Sequence, residues 1–128
     1  MSCGWFTPQS ARSTARRLEP LALGVCRAHR RLCARAPVPF PDGPVDQDYF
    51  EELCRFHNAA VALASEGVLF RDLARGWFEF PARRAGRDVR LAWRIGCPAP
   101  AGWSERGEPD VVRRVDESGP WEEPTGTS

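Results

Sequence analysis

The sequence predicts a small α+β domain: an antiparallel αα-hairpin packed on a two- or three-stranded antiparallel β-sheet, followed by a disordered acidic tail. Three observations predict it. Apolar and small residues recur at helical spacing through residues 8–66. The period then drops to 2 between residues 68 and 96. Beyond Trp103 the patterning dissolves into Pro, Gly, Ser and acidic residues. The domain is therefore expected over residues 5–103, with a helical hairpin at 8–66 and a β-hairpin at 68–96. Residues 104–128 are expected to form a flexible tail, in which Val111, Val112 and Val115 could build one short element and Trp121 could dock. A chain of 128 residues buries roughly 60–70% of its extended surface, enough for a core without disulfides or metals.

Thr7-Pro8 opens the first helix, because Thr is a good N-cap and Pro suits the first helical position. Ala11, Ala15, Leu18, Ala22, Val25, His29 and Leu32 follow at alternating steps of 4 and 3, the seam of a helix packed on another helix. Pro20 interrupts this seam and predicts a kink or two shorter helices. The proline-rich stretch 36–45 is a stiff loop. Asp46 is placed to cap a second helix, with Asp48, Glu51 and Glu52 in its first turns where the helix dipole favours anions. Its apolar stripe reads Phe50, Leu53, His57, Ala60 and Ala64, flanked by Phe56, Val61 and Leu63, and Gly67 stops it.

Val68-Leu69-Phe70 reads as a short first strand and Trp77–Ala82 as a second. Residues 83–87, with Gly86, form a turn, and Asp88–Ile95 is the clearest strand. Val89, Leu91, Trp93 and Ile95 line one face; Asp88, Arg90, Ala92 and Arg94 line the other. Phe78 and Phe80 must share the apolar face, so they register against Leu91 and Trp93. That leaves Glu79 on the outer face, diagonal to Arg90 and Arg94.

Composition bounds the function classes. All 18 basic residues are arginine and lysine is absent, the bias of a high-GC bacterial genome rather than a signature of nucleic-acid binding. Net charge is +1 but uneven: +6 over residues 1–40, −1 over 41–103 and −4 over 104–128. This asymmetry predicts self-association through the arginine-rich first helix, or shielding of that helix by the acidic tail. The longest apolar run, Ala59–Ala64, is far short of a membrane span. With no signal-peptide pattern and an odd set of 5 cysteines, the expectation is a cytoplasmic protein with reduced thiols.

Phe6-Thr7-Pro8, residues 18–23, Phe70-Arg71-Asp72, residues 76–81, Gly86-Arg87, residues 89–96 and Trp103 fall in the order of a known bacterial pattern. Over residues 5–103 the chain resembles the family called domain of unknown function 2203, as a diverged member. The resemblance implies a Lys where Arg71 stands and an Asp at Glu79. It implies a Cys at Ala92, a Glu at Cys97 and a His at Ser104. Aromatic and glycine positions match while these polar ones differ, so any activity resting on an acid, thiol and imidazole would be lost here.

Two constellations carry possible chemistry. Cys26 and His29 on the first helix, and Cys54 and His57 on the second, sit at i, i+3 spacing. Across an antiparallel hairpin they make a Cys2His2 set suited to zinc, although Cys and His on apolar stripes serve equally as core. No metal or other cofactor is predicted in first place. On the outer strand face, Arg71, Asp72, Trp77, Glu79, Arg90 and Arg94 form a charged patch with one aromatic, suited to a binding partner. No catalytic residue is assigned, since Asp72 and Glu79 lack an evident base partner. The expected function is a non-enzymatic binding or interaction module with an unknown protein partner. A zinc protein and an inactive relative of an enzyme are the alternatives.

Overall fold

A computed structural model describes residues 4–35, 47–108 and 111–124. The protein is α+β, with a helical hairpin and one antiparallel sheet. Helix α1 spans Pro8–Ala34 and helix α2 Gln47–Ser65. Strands β1 (Leu69–Asp72), β2 (Trp77–Arg84), β3 (Arg87–Arg94) and β4 (Gly102–Glu105) follow. They pair in sequence order as a four-stranded meander. Among the described residues no helix is long and apolar enough to cross a membrane.

Helix α1 starts as its sequence dictates. The Thr7 hydroxyl accepts from the Ser10 backbone N–H, and the Ser10 hydroxyl accepts from the Thr7 N–H, closing a reciprocal capping box. The helix then runs continuously through Pro20 rather than splitting in two. Pro20 lies on the exposed side, while Leu18 and Ala22 on either side are buried. Burial of the seam offsets the one hydrogen bond that proline removes. Ala11, Ala15, Leu18, Ala22 and Val25 all lie in the core, as their spacing requires.

The stripe of α2 is rotated from the expected one. Glu52 and Leu63 are its buried residues, with Phe56 and Ala59 packed against the core edge. Phe50 and Leu53 are exposed, and so is His57. The reason is electrostatic. Glu52 turns inward because Arg31 of α1 and Arg55 of α2 both reach it at 3.3 Å, so a charged side chain occupies a position that hydropathy assigns to solvent. Asp46 and the proline-rich loop lie outside the described residues.

The sheet extends further than the β-hairpin at 68–96. Its central register is the expected one: Phe78 faces Trp93 and Phe80 faces Leu91. The four side chains are fully buried, and the Phe80 and Trp93 rings stack at 5.5 Å between centroids. The hairpin closes through Ala85 and Gly86, both with positive φ (53° and 78°), the conformation whose twist matches the flanking strands. β4 is a fourth strand beyond the two or three that the pattern predicts, and the expected boundary between 103 and 104 falls inside it. The run Ala-Gly-Trp-Ser-Glu at 101–105 shows no alternation of apolar and polar residues, so periodicity gives no sign of this strand.

Part of the segment expected to be a flexible tail is bound to the domain. Arg113 exchanges backbone hydrogen bonds with Trp103 at 2.7 and 2.9 Å. Trp121 does dock: it bridges Arg84 and meets the Trp103 ring edge-on at 5.9 Å. Arg84 lies over both indoles, 4.7 Å from Trp103 and 5.4 Å from Trp121, a cation–π arrangement. Glu117 of this segment pairs with Arg12 of α1, one contact between the acidic segment and the basic helix.

Candidate binding face of the sheet

Alternation along β2 and β3 puts the six outer-face candidates on or beside one surface. Phe78, Phe80 and Ala82 point into the core, so Trp77 and Glu79 point away from it. The pairing Trp77↔Arg94 and Glu79↔Ala92 places Arg94 beside Trp77. The Arg94 guanidinium sits 5.6 Å from the Trp77 ring centroid, and Trp77 is half-buried.

Glu79 is the hub of an ion-pair ladder across three strands. Arg71 of β1 approaches it at 3.1 Å and Arg90 of β3 at 4.0 Å. Its side chain is 13% exposed, so the pairs are better shielded from solvent than ordinary surface pairs. The sequence places Arg90 and Arg94 equally near Glu79. In the fold, only Arg90 reaches it and Arg94 takes the indole instead.

Asp72 has a local duty. Its carboxylate accepts from the backbone N–H of Arg75 at 3.3 Å, capping the 3-10 turn Leu73–Arg75, which ends at Gly76 in the left-handed region. Asp72, Arg71, Arg75, Trp77 and Val112 line an open recess of about 360 Å³. Val112 is not among the residues that the sequence points to. It reaches the recess because residues 111–113 lie along β4: a Cβ placed on Gly102 would come within 2.5 Å of Val112 Cγ1. Gly102 and its neighbour Ala92 thus leave the room in which that segment lies. Glycine beside a tryptophan is the available signal, since a strand glycine marks close backbone approach.

Asp72 and Glu79 do not share this recess. One caps a turn and the other is held between arginines, so neither is arranged as half of an acid–base pair. The positions where the resemblance implies an acid, a thiol and an imidazole adjoin on this face. Glu79 is opposite Ala92, Ala92 opposite Gly102, and Ser104 opposite Arg90. Ala92 and Ser104 are buried. Cys97 lies elsewhere, exposed beside Arg12, Arg16 and Glu19 of α1.

The Cys26, His29, Cys54, His57 set is not assembled. Among the described residues, no three His, Cys, Asp or Glu side chains are placed to hold a metal ion. Arg17 pairs with Glu66, just past the end of α2, and Arg31 with Glu52, which marks the offset of the two helices. That offset, with the rotation of α2, sets His29 against the Phe56 ring at 6.0 Å and leaves Cys54 and His57 exposed. Cys26 is buried. Desolvation pushes its thiol above the ordinary value of 9.0, with Arg30 pulling weakly the other way.

No family model matches this chain, and neither the curated proteins nor the solved structures contain a match to it.

Proposed function

We propose that the protein is a non-enzymatic binding module whose outer sheet face receives an acidic segment of a protein partner. The observation that carries this reading is Trp77, half-buried and lying between the Arg94 guanidinium at 5.6 Å and the recess that Arg71 and Arg75 line. An indole flanked by guanidinium groups is the composition that interfaces favour: rigid apolar area with directional donors. Glu79 on this face is paired with Arg71 and Arg90, Asp72 with Arg75, and Asp88 with Arg83. With Arg94 added, arginines outnumber the acids, so the face carries net positive charge toward an incoming acid.

One contact favours shielding over self-association: Arg12 of α1 pairs with Glu117 of the acidic tail, whereas Arg17 and Arg31 pair with Glu66 and Glu52 outside it. A bacterial cytoplasmic location fits the state of the cysteines: Cys26, Cys33, Cys54 and Cys97 are free thiols. Kinship with domain of unknown function 2203 belongs to the same reading. Of the positions where that resemblance implies other residues, 71, 79, 92 and 104 lie on the proposed face and Cys97 lies apart from it.

The test is an amide and indole NMR titration of the labelled chain with a poly-glutamate peptide. Shifts should concentrate at Trp77, Arg71, Arg75 and Arg94, and should vanish in Trp77→Ala and Arg94→Ala while the remaining spectrum is kept. Shifts spread over α1 instead, or none at millimolar peptide, would refute the assignment.

A further inference from the structure

A thiol and an imidazole that neither the binding face nor the core uses meet at the end of α1. His29 and Cys33 stand at i, i+4, which stacks them on one face of the helix. Cys33 Sγ lies 3.6 Å from His29 Nε2 and 4.0 Å from Nδ1. His29 is held by the Phe56 ring of α2 at 6.0 Å, which limits its freedom to swing away. Cys33 is exposed. The two side chains open into a recess of about 120 Å³, lined also by Cys26, Arg30, Leu73 and Ala74. Its walls combine a donor, Arg30, with small apolar groups, which suits a short molecule bearing a carbonyl.

We propose that Cys33 and His29 form a covalent capture site for small α,β-unsaturated carbonyl compounds. Thiolate, not thiol, is the nucleophile, and an adjacent imidazole supplies it without a permanently ionised sulfur. The S–H proton passes to His29 as sulfur bonds to the β-carbon. The alkene π pair shifts toward the carbonyl, forming an enolate whose oxygen Arg30 is placed to meet. The α-carbon then takes the proton back from the imidazolium. The net reaction is addition of S–H across the C=C bond, with no oxidant and no leaving group.

The chain carries its own controls. Cys54 and Cys97 are exposed thiols with no imidazole contact of this kind among the described residues. Cys26 lines the same recess but is buried, and burial keeps its thiol protonated.

The experiment is a time course of the reduced, native chain with acrylamide near neutral pH, with each cysteine followed by peptide mass mapping. Cys33 should react at least roughly tenfold faster than Cys54 and Cys97, a floor below the roughly 10²–10⁴-fold that one positioned base supplies. His29→Gln should bring Cys33 down to the Cys54 rate while Cys54, Cys97 and the circular dichroism spectrum stay unchanged. The same comparison on the unmodified chain in urea should erase the difference, which keeps the test decisive if the variant misfolds. Equal rates for Cys33, Cys54 and Cys97 in the native chain would overturn the proposal, as would a Cys33 excess that survives His29→Gln.

Discussion

The two helices of the hairpin have similar hydrophobic spacing and very different surroundings. Along its 27 residues α1 buries eight, from Pro8 to Ala28. Over 19 residues α2 buries Glu52 and Leu63, and it exposes Phe50, Leu53 and Val61 at 49, 41 and 53%. Helix α1 lies on the inner face of the sheet, where Val25 and Leu18 join Phe78, Phe80 and Trp93 in one cluster. Helix α2 packs chiefly on α1. Periodicity records that a helix has an apolar side. It does not record how many neighbours that side will find.

The sharpest way to break this comparison is to truncate one leucine on each helix. Leu18 is 5% exposed and within the core, so Leu18→Ala should destabilise the fold by about 2–5 kcal/mol, transfer and cavity costs together. Leu53 is 41% exposed, and Leu53→Ala should fall within about 0.5 kcal/mol of zero. Urea denaturation midpoints read both. Equal losses at the two sites would mean that α2 is covered in solution in a way the monomer does not explain.

A smaller effect is expected where the C-terminal segment crosses β4. A methyl group on Gly102 would sit 2.9 Å from the Arg113 carbonyl oxygen as well as against Val112. The valine can rotate; the carbonyl is fixed by its hydrogen bond from Trp103. Gly102→Ala should therefore cost about 1–3 kcal/mol, the usual range for overpacking, and Val112→Ala should recover only part of it. Full recovery in the double variant, measured by thermal melting, would show that the backbone of residues 111–113 is not held there.

These contrasts mark what is legible in the sequence. The Thr7-Pro8 cap, the α1 seam and the pairing of Phe78 and Phe80 with Trp93 and Leu91 are legible because each depends on near neighbours or on one repeating period. Trp77, Glu79, Arg90 and Arg94 are placed on one face by alternation alone. The rotation of α2 is not legible, since Glu52 becomes an inward residue only when Arg31, 21 positions away in the chain, arrives beside it. The docking of Trp121 is legible as an option, but where residues 111–124 attach is hidden for a related reason. Its contacts are a backbone exchange with Trp103 and indole–guanidinium stacking on Arg84, and neither leaves a hydropathy pattern. The Cys2His2 set fails on geometry: matching i, i+3 pairs on two helices meet only if both helices turn those faces together.

The β-hairpin turn offers a gain instead of a loss. Ala85 sits at φ 53°, a left-handed conformation that disfavours a β-carbon, while Gly86 beside it takes φ 78° without that penalty. Asparagine tolerates this region, and Asn-Gly is the preferred pair for such a turn. Ala85→Asn should stabilise the protein by up to about 1 kcal/mol, visible as a raised melting temperature. No change would indicate that the bond from the Ala85 N–H to the Pro120 carbonyl, rather than the turn's own preference, sets its conformation.

The smallest expected effect returns to α1 and separates it from α2 by pH. Cys26 is a buried thiol whose ionisation burial pushes above the ordinary 9.0. In the unfolded chain the thiol loses its proton near that ordinary value; in the folded chain it holds the proton to higher pH. Between the two values the folded state binds more protons than the unfolded state, so stability falls as pH rises. The contribution is complete below pH 9.0 and disappears as pH climbs through the raised folded value. Urea midpoints from neutral pH upward should therefore decline through this window, and Cys26→Ala should flatten the decline while lowering stability at neutral pH through the lost packing. An unchanged slope in Cys26→Ala would mean that water reaches this thiol, and that the inner side of α1 near its C-terminal end is as open as the outer side of α2.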